Sequence, residues 1–153
     1  MIDLGEDPLK LDRQVCFALS VASRSVIAIY RPLLEPYGLT HPQYLVMLAL
    51  WQHSPLSVKE LSALLQLDPG TLSPLLKRLE SAGLVRRQRE PRDERVLAVT
   101  LTNAGSALRT RAELVPPAVV ERLGMDVEEL QRLHAALMRV ISAAEGAVEH
   151  QRR

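Results

Sequence analysis

Two short helices separated by one tight turn, between Ser57 and Gly83, constrain this chain more than any other feature. Ser57 and Glu60 have the spacing of a capping box, which opens a helix ending near Gln66 with Leu61, Leu64 and Leu65 on its apolar face. Asp68-Pro69-Gly70 makes the turn, and a second helix runs to about Ala82, where Gly83 stops it. Two starts are open for that helix. A start at Asp68 puts Pro74 in the interior, where proline removes a hydrogen bond and crowds the preceding turn. A start with Thr71 as cap puts Pro74 in the first turn, where the missing N–H costs little, and is preferred. Helix, glycine-containing turn and helix is the pattern of a helix-turn-helix.

The flanks complete the architecture. Leu11 to Leu34 reads as one helix, with Val15, Leu19, Ala22, Val26, Ile29 and Leu33 at three- and four-residue steps, closed by Pro36 and Gly38. Thr40 caps a helix through about His53, with Pro42 in its first turn. Val85 to Arg89 and Val96 to Leu101 read as strands, the second with Leu97, Val99 and Leu101 on one face. The charged linker Glu90 to Glu94, containing Pro91, forms an exposed tip. Thr102 caps a helix that Pro116-Pro117 interrupts, and Asp126 with Glu129 opens a last helix to about Val148. The expected fold is mainly α with a small β-hairpin wing. A winged helix-turn-helix spans 40–101 within a single domain of 1–153.

Hydrophobic residues make up 47% of the 153 and aromatics 3%, so the core must be aliphatic. The acidic start, Met1 to Asp12, has no apolar secretory segment, and the longest apolar run, Tyr44 to Trp51, is too short to cross a bilayer. With a single cysteine, Cys16, no internal disulfide can form. A cytoplasmic protein with no membrane association is expected. His41, His53, His134 and His150 are scattered, so neither a metal site nor a cofactor is expected.

The net charge is only +1, but it is unevenly spread. Lys77, Arg78, Arg86, Arg87, Arg89, Arg92 and Arg95 face only Glu80, Glu90, Asp93 and Glu94 in the same stretch. In the second helix of the motif, Leu72, Leu75, Leu76 and Leu79 form a core stripe and leave Thr71, Ser73, Lys77, Arg78 and Ser81 elsewhere. Hydroxyls at a helix N-terminus can meet base edges or phosphates, and Lys77 and Arg78 suit phosphate. The same pattern also describes an ordinary solvated face. The arginine-rich hairpin favours the first reading, because arginine suits a narrow, negative minor groove. Asp93, two residues before Arg95, is placed to orient that guanidinium. Thr71, Ser73, Lys77, Arg78, Arg86, Arg92, Asp93 and Arg95 are therefore the candidate contacts to double-stranded DNA.

From Leu11 to about Leu108 the chain resembles the MarR family of bacterial regulators. The carrying residues are Leu61 to Leu65, Leu67-Asp68-Pro69-Gly70-Thr71-Leu72-Ser73, Leu75-Leu76-Lys77-Arg78-Leu79-Glu80, and Gly83-Leu84-Val85 into Arg86. Asp93-Glu94-Arg95 and Leu101-Thr102 with Gly105 complete the pattern. The resemblance implies a homodimeric repressor, with helices 11–34 and 102–150 forming the dimer platform and two winged motifs reading a palindromic operator.

Cys16 admits two readings from chemistry alone. A lone cysteine is commonly a small buried hydrophobe, whereas the positive end of a helix favours a reactive thiolate. The run Leu11 to Ala18, then Ser23-Arg24, Tyr30 to Leu34 and Leu39 to Leu48, resembles the organic hydroperoxide sensors of the family, the OhrR type. That resemblance implies that Cys16 senses organic hydroperoxide as a sulfenic acid, and that Tyr30 is one of the phenols holding the reduced thiol. His41 and Ser20 stand where such proteins have further tyrosines. Cys16 and Tyr30 are fourteen residues apart on one helix, about 21 Å along its axis, so a hydrogen bond between them has to cross between subunits. With no second cysteine, the chain resembles the one-cysteine kind. Its sulfenic acid would meet a low-molecular-weight thiol, a backbone nitrogen or further oxidant. A repressor answering a small aromatic or phenolic ligand is the alternative. A thiol peroxidase needs a resolving thiol and a cradle for the leaving group, and neither is visible, so no enzyme is expected.

Overall fold

The computed structural model describes residues 7–152; the first six residues of the acidic N-terminal stretch lie outside the described residues. The chain groups into two compact units divided between Val115 and Pro116.

In the first unit a 3₁₀ turn, Leu11–Arg13, precedes helix α1, Val15–Leu34. The helix expected from Leu11 therefore starts later. Gln14 is extended, and its side-chain amide donates to the carbonyls of Pro8 at 2.9 Å and Lys10 at 3.1 Å, holding the chain out of helical geometry. This correction puts Cys16 at the second position of α1. Helix α2, His41–His53, starts as expected: Thr40 and Gln43 form a capping box and Pro42 lies in the first turn. Gln43, Tyr44, Val46, Met47, Ala49 and Leu50 are all buried. A helix covered on so many sides is the centre of its unit.

The helix-turn-helix and hairpin follow. Strand β1, Leu56–Ser57, leads into helix α3, Val58–Leu65, with the Ser57–Glu60 capping box in place. Of the expected apolar face, Leu61 is fully buried, Leu65 is half-buried and Leu64 is exposed. Gln66, at φ 52°, turns the chain into helix α4, Pro69–Ser81.

The start of α4 corrects the sequence reading. Asp68, not Thr71, is the cap. Its Oδ1 accepts from the Thr71 N–H at 2.9 Å and its Oδ2 from the Thr71 hydroxyl at 2.8 Å, and Pro69 takes the first helical position. Pro74 lies inside the helix, where it removes one intrahelical bond near the N-terminus. Two side-chain bonds from the cap and a proline already shaped for the first turn outweigh that loss.

Strands β2, Val85–Glu90, and β3, Asp93–Leu101, form the hairpin, and β1 adds an edge to make the order β1-β3-β2, all antiparallel. The tip is shorter than expected. Pro91 and Arg92 alone connect the strands, while Glu90, Asp93 and Glu94 belong to them. On β3, Val99 is fully buried, Leu97 and Leu101 are half-buried, and Ala98 on the other face is buried too. A central strand with helices against it is not limited to alternate burial. Thr102 then caps helix α5, Asn103–Ala112, accepting from the Gly105 N–H at 3.1 Å. Helix α6, Val115–Leu123, carries Pro116 and Pro117 in its first turn. The break falls before the prolines, which begin a new helix at positions that need no N–H.

The first unit has the aliphatic core expected, with Leu34, Met47, Leu50, Leu61, Leu72 and Val99 among its buried side chains. No buried side-chain nitrogen or oxygen among the described residues lacks a partner. The second unit holds the rest of α6 and helix α7, Val127–Gln151, opened by the Asp126–Glu129 capping box. No residue of α7 is buried, although Leu130, Leu133, Leu137 and Ile141 follow a helical stripe. In α1 only Leu34 is buried, and Val15, Phe17 and Val21 are exposed. Among the described residues, α1 with its following turn (15–37), not Tyr44 to Trp51, is long and apolar enough to cross a bilayer by length and composition. Arg24 near its middle is costly in such a setting.

Candidate nucleic-acid interface and thiol site

Helix α4 separates two faces. Leu72, Leu75, Leu76 and Leu79 are buried, and Thr71, Ser73, Lys77 and Arg78 are exposed. The structure thus brings the four candidate contacts of this helix to its open side, with one qualification. The N–H and hydroxyl of Thr71 are both donated to Asp68, so only the lone pairs of the Thr71 oxygen remain free for a ligand donor. Those hydrogen bonds hold the Asp68 carboxyl below its usual range.

On the hairpin the arginines divide by alternation along β2. Arg86 is exposed, whereas Arg87 is turned toward α4 and paired with Glu80 at 3.4 Å. Arg89 Nη1 donates to the Glu94 carbonyl at 2.6 Å. Arg86, Arg92 and Arg95 make no ion pair among the described residues and are exposed. Asp93 is not used as expected: its carboxylate accepts from the backbone N–H of Arg95 at 3.0 Å, not from the guanidinium. A short carboxylate two residues upstream reaches the main chain more readily than the far end of an arginine. Asp93 shapes the strand beside the tip and leaves the Arg95 side chain unheld.

The residues expected to form a thiol site do not all come together within one chain. Cys16 is exposed at the N-terminus of α1, while Tyr30 lies near the other end of the same helix. Tyr30 and His41 are brought together edge to face, ring centres 4.8 Å apart. Tyr44, missed in the sequence as part of an apolar run, is the third member, 5.8 Å from Tyr30 and 6.5 Å from His41. Its signal was the three-residue step from His41, which puts both on one face of α2. Burial pushes the Tyr30 phenol up and the His41 imidazole down, so at neutral pH Tyr30 is a hydrogen-bond donor and His41 is neutral. Burial, helped by the nearby Tyr30, also raises Tyr44. Beside the cluster a cleft of about 540 Å³ opens between α1 and α2, lined by Ile27, Arg31, Leu39, Thr40, His41 and Pro42 among others. Ser20, the other position without the expected tyrosine, is exposed on α1, ten residues from Tyr30.

Three comparisons with known proteins bear on these features. Residues 39–97 match the MarR family. The organic hydroperoxide resistance transcriptional regulator of Bacillus subtilis (strain 168) is 41% identical over 131 residues, 86% of this chain and 89% of its own length. The chain belongs to the MarR family. It is a MarR-family transcriptional regulator with a winged-helix fold, and its relatives are regulators rather than enzymes. Among solved MarR-family structures it is similar to reduced AbfR bound to DNA, with TM-score 0.73 and 32% identity over 90% of this chain and 96% of that one. AbfR of Staphylococcus epidermidis superposes with TM-score 0.76 and 30% identity, covering 94% and 99%.

Proposed function

We propose that the chain is a homodimeric, cytoplasmic repressor that binds a palindromic operator and releases it when organic hydroperoxide oxidises Cys16. The observation that carries this reading is the split thiol site. A donor phenol and a neutral imidazole sit together about 21 Å along α1 from the sole cysteine. A two-fold pairing of α1 with a second copy would complete the site twice, each Cys16 meeting the partner's phenol. The apolar residues that α1 and α7 leave exposed supply surface for that pairing. In this reading 11–34 and 102–150 join the subunits, and 40–101 reads DNA. The kinship with a hydroperoxide-resistance regulator supports the choice of oxidant.

The chemistry balances within the site. The Cys16 thiolate attacks the terminal, hydroxyl oxygen of the hydroperoxide, the O–O bond breaks, and the alkoxide leaves and takes a proton from water to become an alcohol. Sulfur is oxidised by two electrons to the sulfenic acid, and in the proposed pairing the phenol of the second copy would donate to the thiolate before the reaction. With no second cysteine in the chain, a small thiol can then displace hydroxide to give a mixed disulfide. Intact-mass measurement of the protein after one equivalent of cumene hydroperoxide, paired with a gel-shift on the same sample, tests the reading. Loss of DNA binding should track modification of Cys16. Full modification without release would defeat it.

The cleft beside His41 favours a second reading, because about 540 Å³ accommodates a small aromatic or phenolic molecule. Release by such a ligand from protein whose thiol remains reduced would select it.

On the DNA side, Arg95→Ala should weaken operator binding roughly 5- to 150-fold for each wing, the worth of one groove contact of about 1–3 kcal/mol, without lowering thermal stability. Arg95 is exposed and its side chain supports nothing in the core. Unchanged affinity across a salt series would mean that the wing does not enter the groove.

A further inference from the structure

Glu80 is out of place by two ordinary rules. It is an anion in the last turn of α4, where the helix dipole disfavours negative charge, and it lies among the cations expected to meet phosphate. Its contacts explain the position. Glu80 Oε2 accepts from the backbone N–H of Arg87 at 3.0 Å and from Arg87 Nε at 3.4 Å, and Oε1 accepts from Nη2 at 3.4 Å. One carboxylate therefore grips both the main chain and the forked side chain of the third residue of β2. Between them the chain reverses through Gly83 at φ 75°, a position where rotation could swing the hairpin against the helix. The Leu84 N–H to Leu79 carbonyl bond at 3.0 Å holds the near side of that turn, and Glu80 holds the far side. The Arg87 hydrogen bonds keep the Glu80 carboxyl below its usual range, so it is charged at any pH used for DNA binding.

We infer that Glu80 is a positioning residue for DNA recognition, fixing through Arg87 the angle at which the wing leaves the reading helix, and that Arg87 is a strut rather than a DNA contact. The Arg89–Glu94 bond plays the same part at the tip, leaving Arg86, Arg92 and Arg95 to reach DNA. The inference rests on the proposed DNA interface, with helix and wing binding together. Its sign is what sets it apart. Removing a carboxylate near phosphates should by simple repulsion strengthen binding, whereas removing a brace should weaken it.

The test uses the full chain and two duplexes: a palindrome selected by the wild-type protein from randomised DNA, and a scrambled sequence of equal length. Glu80→Gln and Arg87→Gln should each lower affinity for the selected duplex about tenfold and barely change the scrambled one, with the salt slope unchanged. The double variant should be no weaker than the weaker single, as expected when two residues act as one unit. A role confined to stability would lower the melting temperature while leaving the ratio of the two affinities intact. Should Glu80→Gln fail to fold, Arg87→Lys decides: it keeps the charge and the backbone N–H but loses the fork, and should reduce the ratio with no change in slope. Equal or tighter binding by Glu80→Gln overturns the inference. So does a loss in Arg87→Gln that lowers the salt slope by about one for each subunit and adds to that of Glu80→Gln, the signature of a phosphate contact. Arg95→Ala run alongside separates the two levels. If it too is without effect, the wing interface itself fails; if it alone weakens binding, only the brace does.

Discussion

Cys16→Ser protein should fold, dimerise and bind its operator within about twofold of wild type, and should then stay bound at a dose of organic hydroperoxide that frees the wild type. The hydroxyl nearly matches the thiol in size, and Cys16 lies on α1, outside the reading lobe. In the proposed dimer, oxidation would put a polar oxygen or a bulky adduct where a small thiol meets the second subunit. Unpaired polarity or overpacking there costs about 1–3 kcal/mol, or roughly 5- to 150-fold in affinity for each oxidised site if the strain is relieved by moving the reading helices off their spacing. A titration of peroxide against bound fraction, read by fluorescence anisotropy of labelled DNA, makes the comparison. Release of the variant at the wild-type dose would make Cys16 a packing residue and leave the aromatic-ligand reading in its place.

The largest effect on stability is expected at Gly105. A Cβ at this position would stand 2.0 Å from the Leu84 carbonyl oxygen and 3.0 Å from its carbon. The obstacle is backbone, and that carbonyl is already fixed as acceptor for the Thr102 N–H at 3.1 Å. Gly105 also donates its N–H to Thr102 Oγ1 at 3.1 Å, and its carbonyl accepts from Trp51 Nε1 at 2.9 Å. α5 cannot back away without breaking the joint between α2, α5 and the end of α4. Gly105→Ala should therefore cost about 3 kcal/mol or more, a fall in Tm on the order of 6–12 °C for a chain of this length. Trp51, the sole tryptophan, reports the same joint by its emission during unfolding. A variant melting within a degree of wild type would show that α5 shifts freely.

What the sequence made legible was local. Thr40 with Gln43, Ser57 with Glu60 and Asp126 with Glu129 are pairs three residues apart, and each marks a helix start by its own chemistry. The four leucines of α4 are a periodic stripe and are buried as their spacing implied. The start of α4 is not legible from the Pro74 penalty alone, because the two bonds that Asp68 makes to Thr71 outweigh it. Strand β1 was invisible because two residues carry no period; it exists only because Val99 and Ala98 of β3 lie opposite it. Glu80 and Arg87 meet only after the hairpin has folded back on α4, so no pattern in either element announces the pair. No spacing joins Cys16 to the Tyr30–His41 pair, since they lie at opposite ends of one helix.

The internal pairing of arginines bears on how such a regulator behaves in a genome. Every stretch of chromosome offers phosphate, and a repressor coated in free cations spends its time on the wrong sequences. Here the net charge is +1, and two of the five hairpin arginines are already held by protein acceptors. The background pull toward arbitrary DNA should be correspondingly weak. A modest number of well-aimed contacts then suffices to favour one site, and a modest disturbance suffices to empty it.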